Sequence, residues 1–217
     1  MKYSTDGTNW SPNVPQRKDV CSNVTVYWKI DANDGYEGIN STSITGCGIA
    51  KVTPTVTAPE AASNLKYDGS AKTLISEDSA GSTNYGTLKY STDGTNYDTN
   101  LPTASAAGTY TVYYRVDGDN NINNVTAQTV SCSIAKATLS GITVSISGWT
   151  EGETASTPSV SSNPGNGSVT YYYKGTGDYS TTQPSTAGTY KIKATIAATA
   201  NYNEFTTSEV EFTISSS

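Results

Sequence analysis

Apolar and polar residues alternate with a period of two at three places along the chain. Tyr110, Val112, Tyr114 and Val116 alternate with Thr111, Tyr113 and Arg115. Val24, Val26, Trp28 and Ile30 alternate with Thr25, Tyr27 and Lys29. Tyr190, Ile192, Ala194 and Ile196 alternate with Lys191, Lys193 and Thr195. Successive side chains of a strand point to opposite faces, so one apolar face predicts a half-buried antiparallel strand. A second strand follows, with Val130, Cys132 and Ile134 in one copy and Val210, Phe212 and Ile214 in another. In the remaining copy Ile44, Cys47 and Ile49 break step beside Gly46, which predicts a β-bulge with one extra residue. DANDG (31–35), DGDNN (117–121) and ATANYN (198–203) lie between the paired strands as turn material, and Asp93-Gly94 reads as a two-residue hairpin turn. No stretch carries helical periodicity. Short strands at regular spacing predict an all-β chain of β-sandwiches.

The strand pattern recurs because the sequence does. KYSTDGTN stands at 2–9 and again at 89–96. AGTYTVYYRVDGDNN (107–121) has counterparts in SNVTVYWKIDAND (22–34) and AGTYKIKATIAATANYN (187–203). The period is roughly 80 to 87 residues, a length at which one repeat is one small domain. Residues 1–50 read as the C-terminal half of a module, 51–135 as a complete module, and 136–217 as a complete, diverged one. Very short linkers, Ala50-Lys51 and Ala135-Lys136, join them. A start that falls mid-module is expected of a piece of a longer array; a capping half-repeat is the competing reading. Without its first strands, the half-module is expected to expose Val26, Trp28 and Ile30. It should then dock on its neighbour or pair with another copy of the chain.

Composition narrows the function classes. Apolar residues make up 35%, while Ser, Thr, Asn and Gly are abundant and 16 tyrosines supply core material. The net charge is −6, so no basic surface is available for nucleic acid or an anionic bilayer. No apolar run approaches the ~20 residues of a membrane span, and the polar residues after Met1 are not those expected of a signal peptide, which in a piece of a longer array says nothing about secretion. There is no histidine, which removes most general-base, catalytic-triad and zinc arrangements. Carboxylate pairs such as Asp117/Asp119 and Glu209/Glu211 sit in a turn or alternate along a strand, with no fixed catalytic spacing. The expectation is a protein that is not an enzyme. Cys47, Cys132 and Phe212 share one position in the repeat, which marks it as inward-facing. With Cys47 placed opposite a residue near Val26, Cys21 lies about 16 Å away along the strand, too far for a disulfide. The thiols are expected to be free, with Cys21 the more exposed.

NLKYDGSAKTL (64–74), STDGTNY (91–97), the AGTY strand and NPGNGSVTYYYKGTGDY (163–179) resemble the bacterial immunoglobulin-like repeats of the YDG and MBG type. The resemblance covers nearly the whole chain. In the third copy an aromatic-x-Gly element is displaced by one position, to Trp149-Thr150-Glu151-Gly152. The resemblance implies tandem immunoglobulin-like β-sandwich modules in a secreted or wall-attached bacterial protein, often an adhesin, where such repeats serve as stalk or spacer. It brings no catalytic residues.

Two kinds of candidate site remain. Asp31 and Asp34 in DANDG, and Asp117 and Asp119 in DGDNN, cluster oxygen ligands in tight loops where calcium is conceivable; a solvated turn is the competing reading. Trp10, Tyr97 and Tyr179 share one position, and Tyr27, Tyr113 and Tyr173 are expected on outward faces. The third module is the most diverged, so Trp149, Tyr171, Tyr172, Tyr173 and Tyr179 are its candidate binding residues. The partners in view are neighbouring modules of the array and, alternatively, a host glycoprotein, a glycan or an immunoglobulin.

Overall fold

A computed structural model describes all 217 residues. The fold is all-β, with several small sheets and, beyond strands, a single 3-10 turn at Glu77–Ser79. No helix is long and apolar enough to cross a membrane. Backbone contacts group the chain into two compact units. One comprises Met1–Glu60, Glu77–Leu101 and Val112–Val130; the other Ala61–Ser76, Pro102–Thr111 and Ser131–Ser217.

The first repeat lies wholly in the first unit. Strands β1 (Lys2–Ser4), β2 (Cys21–Ile30) and β3 (Ile39–Ile49) form one antiparallel sheet in that order. The bulge beside Gly46 is present. Val24 faces Cys47 and Val26 faces Ile44, so β3 spends one residue more than β2 over that span. Gly46 has φ +76°, a left-handed conformation that glycine adopts without a steric penalty. A second shift runs the other way between Cys21–Ile49 and Val24–Cys47, where Asn23 takes φ 52°. Cys47 therefore faces Val24, three residues along the strand from Cys21; the Gly46 bulge moves it there from the place opposite Asn23 that an unbroken register would give. All three cysteines are free; Cys21 and Cys47 are both half-buried, and Cys132 is buried.

In the middle repeat, β4 (Val56–Thr57), β5 (Lys72–Thr73), β6 (Ser82–Thr83), β7 (Leu88–Ser91), β8 (Thr103–Ala104), β9 (Gly108–Val116) and β10 (Val125–Ile134) follow one another. β10, β9 and β7 form the main sheet in that order, and β4–β6 and β5–β8 are short antiparallel pairs. The alternation legible in β9 holds: Val112, Tyr114 and Val116 are buried and the residues between them are not.

The third repeat contains β11 (Val144–Ser145), β12 (Trp149–Thr150), β13 (Ser159–Val160), β14 (Val169–Lys174), β15 (Gly188–Ile196), β16 (Phe205–Thr206) and β17 (Val210–Ser215). The sheet β12-β17-β15-β14 and the pair β11-β13 enclose one apolar cluster around Val144, Tyr173, Ile192, Phe212 and Ile214. This is a two-layer, sandwich-like arrangement. Tyr173, expected to face outward, is only 6% exposed. It pairs with Ile192 and Tyr171 with Ala194, so Tyr171 and Tyr173 point inward and Tyr172 outward. Three tyrosines in a row carry no alternation from which to read the face.

Asp93-Gly94 does not make a two-residue hairpin. Tyr90 and Asp98 exchange both backbone hydrogen bonds, at 2.7 and 2.9 Å, and the chain loops between them. Ser91 Oγ accepts from the N–H of Gly94, and Asp93 Oδ1 from those of Thr95 and Asn96. The side chains thus satisfy the donors that a tight hairpin would have placed across the strands. The first repeat reproduces the bonds one for one on Ser4, Asp6, Gly7, Thr8 and Asn9.

Candidate functional site

The most heavily elaborated polar feature of the molecule is the joint at which one repeat gives way to the next, and it is built twice. At the first joint, in the first unit, Val52 bridges in parallel to Ile122. The Val52 N–H donates to the Asn121 carbonyl at 3.1 Å, and the Asn123 N–H donates back to the Val52 carbonyl at 2.8 Å. Asn121 Oδ1 accepts from the Val20 N–H at 2.8 Å. Asn123 Nδ2 donates to Thr53 Oγ1 at 2.9 Å, and Lys51 Nζ to the Asp119 carbonyl at 2.6 Å.

At the second joint, in the second unit, Ala137 bridges in parallel to Tyr202. Ala137 and Asn203 donate to the carbonyls of Asn201 and Ala137, both at 2.9 Å. Asn201 Oδ1 accepts from the Ala107 N–H at 2.9 Å. Asn203 Nδ2 reaches Thr138 Oγ1 at 3.5 Å, and Lys136 Nζ the Thr199 carbonyl at 2.6 Å. Each of these bonds has its counterpart at the other joint; the first joint adds one more, from Asn121 Nδ2 to Asp19 Oδ1 at 3.1 Å, where the second has Ala106.

The local sequence explains this geometry. The linker, Lys51-Val52-Thr53 or Lys136-Ala137-Thr138, is too short to turn away and lies extended against the loop of the following repeat. That loop places one asparagine against the edge before the long strand of the preceding repeat, and a second against the linker threonine. An asparagine side chain satisfies a backbone N–H that no strand partner reaches. Sequence reading identified both linkers and both loops but did not connect them. The signal was present: Asn121-Ile122-Asn123 and Asn201-Tyr202-Asn203 carry the same Asn-x-Asn spacing. In the first repeat Gly35 stands where the others have Asn121 and Asn201, and the next residue, Tyr36, is 78% exposed.

The aromatic candidates are engaged within the protein. Trp149 stacks on Phe212 with ring centroids 5.5 Å apart, and Tyr171 packs against the same apolar cluster that contains Tyr173. Tyr172 is half-buried on the opposite face. The Tyr179 ring lies under Lys193 at 4.1 Å and Lys174 at 5.4 Å. The counterparts of Tyr179 behave alike: Lys29 sits over Trp10 at 4.8 Å and Arg115 over Tyr97 at 3.8 Å. A cation over each ring is an internal contact repeated in every copy. Partial burial and a hydrogen bond to Glu209 push the Tyr179 phenol up to about 12. Tyr27 and Tyr113 lie on the outer face, half-buried, with their rings beneath Gly7 and Gly94 of the STDGTN turn.

The four acidic candidates do not converge. Asp31 is bound by Lys2 at 2.7 Å and Lys29 at 3.1 Å. Asp117 is bound by Lys89 at 3.0 Å and Arg115 at 2.6 Å. These two triads occupy matching positions in their repeats. Hydrogen bonds from Lys2 and from Lys89 are the foremost reasons that both carboxyls lie below the usual carboxylate range. Asp119 Oδ1 caps the N–H groups of Asn121 and Ile122, and Asp34 is exposed. No group of three or more acidic or thiol side chains is arranged to hold a metal ion.

No family model, no curated protein and no solved structure matches the chain. What can be argued about function therefore rests on the residues and their geometry.

Proposed function

We propose that the chain is a non-enzymatic segment of a bacterial surface or secreted protein, a stalk or spacer of tandem immunoglobulin-like sandwich modules within an adhesin-like array. The observation that carries this reading is the duplicated joint. Two linkers and two loops of different sequence arrive at the same set of hydrogen bonds. A polypeptide whose role is to hold a distance needs its connections specified, since a free linker would let each repeat swing. The internal engagement of Trp149, Tyr171, Tyr173 and Tyr179 supports the same reading, because a recognition surface keeps its aromatic anchors available.

A binding panel tests it. The whole chain, presented to immobilised mucins, polysaccharides, immunoglobulins and matrix proteins, is expected to give no saturable response. Saturable binding that survives in the full chain and is lost on Tyr172→Ala would replace the spacer with a recognition module.

A further inference from the structure

The hydrogen bonds between linker and loop are the same at both joints, so they do not tell one joint from the other. Tandem repeats have a general reason to need that distinction. A loop that fits every linker can seat on the wrong one, and misassembly between like repeats is a characteristic failure of such chains. The apolar residues of the two joints do differ, and they differ together.

Each joint has one facing pair. It is Val52 with Ile122 at the first joint and Ala137 with Tyr202 at the second. Bridge partners on adjacent extended segments set their side chains on the same face, so each pair shares one space. Two aliphatic side chains of similar size share it at the first joint; a single methyl group and a phenol ring share it at the second.

The surroundings of Tyr202 are fitted to the ring. It packs on the cluster of Leu139, Ile142 and Ile196. Tyr67 of the preceding repeat meets it edge to face, with ring centroids 5.4 Å apart and planes at 77°. Gly165 leaves it room, because a Cβ at that position would lie 2.6 Å from Tyr202 Cδ2 and 3.1 Å from Thr199 Oγ1. The ring thus occupies space that any side chain at 165 would claim. Leu88 and Val169 hold the same place in their repeats, facing Val116 and Ile196. Counted back from them, the position of Gly165 is that of Asn84, whose Oδ1 accepts from the Thr55 N–H at 2.8 Å. The repeat whose loop carries a ring has glycine there, and the repeat whose loop carries isoleucine has a side chain already committed elsewhere.

We propose that the facing pair is a size key, by which each linker accepts the loop of the repeat that follows it and rejects the loop of another. The partner of Ala137 is an Asn-x-Asn loop with an aromatic residue at x; the partner of Val52 is one with an aliphatic residue. Tyr202 seated on the first linker would meet Val52, two methyl groups larger than Ala137, in a space the ring already fills. Ile122 seated on the second linker would leave, beside Ala137 and Tyr67, the void of the missing ring. The inference deepens the spacer reading of the joints and rests on it.

The test uses the full chain and amide exchange at Asn203, with Asn123 at the other joint as the internal control. Ala137→Val alone and Tyr202→Ile alone should each speed exchange at Asn203 by at least about tenfold, as an overfilled or an underfilled contact does. Asn123 should not change. The two substitutions together restore the filling, so exchange should return to within about threefold of the parent, far below the roughly hundredfold product expected of independent changes. Refolding from urea gives a second readout. The parent is expected to regain its original size at every protein concentration. The chain carrying Ala137→Val, Gly165→Asn and Tyr202→Ile, in which both joints have the same key, should yield larger species whose share grows with concentration. Multiplicative effects in the double variant, or clean refolding of the triple variant, would overturn the key and leave the spacer reading standing. Exchange of Asn203 at the free-peptide rate in the parent would overturn both.

Discussion

Asp6 and Asp93 show how a single residue organises a turn. Each carboxylate accepts backbone N–H bonds from the two residues that follow the Asp-Gly pair, and a side-chain bond from Asn9 or Asn96. Hydrogen bonding to the charged form, led by the backbone N–H of Asn9 and of Asn96, holds both carboxyls far below the usual carboxylate range. The folded chain therefore binds these protons less readily than the unfolded chain, whose aspartates titrate near about 3.9. Their contribution to stability is complete above that value and is lost as pH falls below it. Thermal melts from pH 7 to pH 2 should be flat at first and then drop steeply below about pH 4. Asp93→Asn is expected to lower the melting temperature at pH 7 and to make the acid limb shallower. An acid limb identical in D6N, D93N and the parent chain would assign the acid sensitivity to other carboxylates.

At the scale of the strand, the same inward position has a different environment in each copy. Val112 and Ile192 are fully buried, while Val26 is half-buried. Removing buried methylenes costs their transfer free energy plus the cavity left behind, so Ile192→Ala should cost about 2–5 kcal/mol. Val26→Ala should cost about half of that or less, because much of its surface is already in contact with water. Urea titrations of the two variants compare them directly, and equal losses would mean that the first repeat is as well packed as the third.

This is also the scale at which the sequence was most and least legible. Alternation along β9 and β15 located their inner faces, because one side of each is uniformly apolar. The bulge at Gly46 was legible from a single broken step. Tyr171–Tyr173 was not, since a run of one residue type has no period and only pairing with Ile192 and Ala194 assigns its faces. The STDGTN turn was misread because Ser91 and Asp93 take hydrogen bonds from the backbone that a plain Asp-Gly hairpin would not use.

At the scale of the whole molecule the organising fact is recurrence. The cation-over-aromatic pair, the Lys–Asp–Lys/Arg triad, the serine–aspartate turn and the joint each appear at matching positions in more than one repeat. The joint was the least legible of these from sequence. Its partners lie far apart along the chain, and nothing in an isolated Asn-x-Asn announces a distant backbone N–H. Once the loops are folded, each joint is an ordinary set of hydrogen bonds, each contributing about 0.5–1.5 kcal/mol.

Amide hydrogen exchange at the two joints tests the central claim most directly. Val52, Asn123, Ala137 and Asn203 should all exchange at least about tenfold more slowly than in a free peptide. Asn201→Ala should accelerate exchange at Ala107, which loses its acceptor, and leave Val20 at the other joint unchanged. If all four joint amides exchanged at free-peptide rates while Val112 and Ile192 stayed protected, the joints would not be fixed connections, and the spacer account would fail.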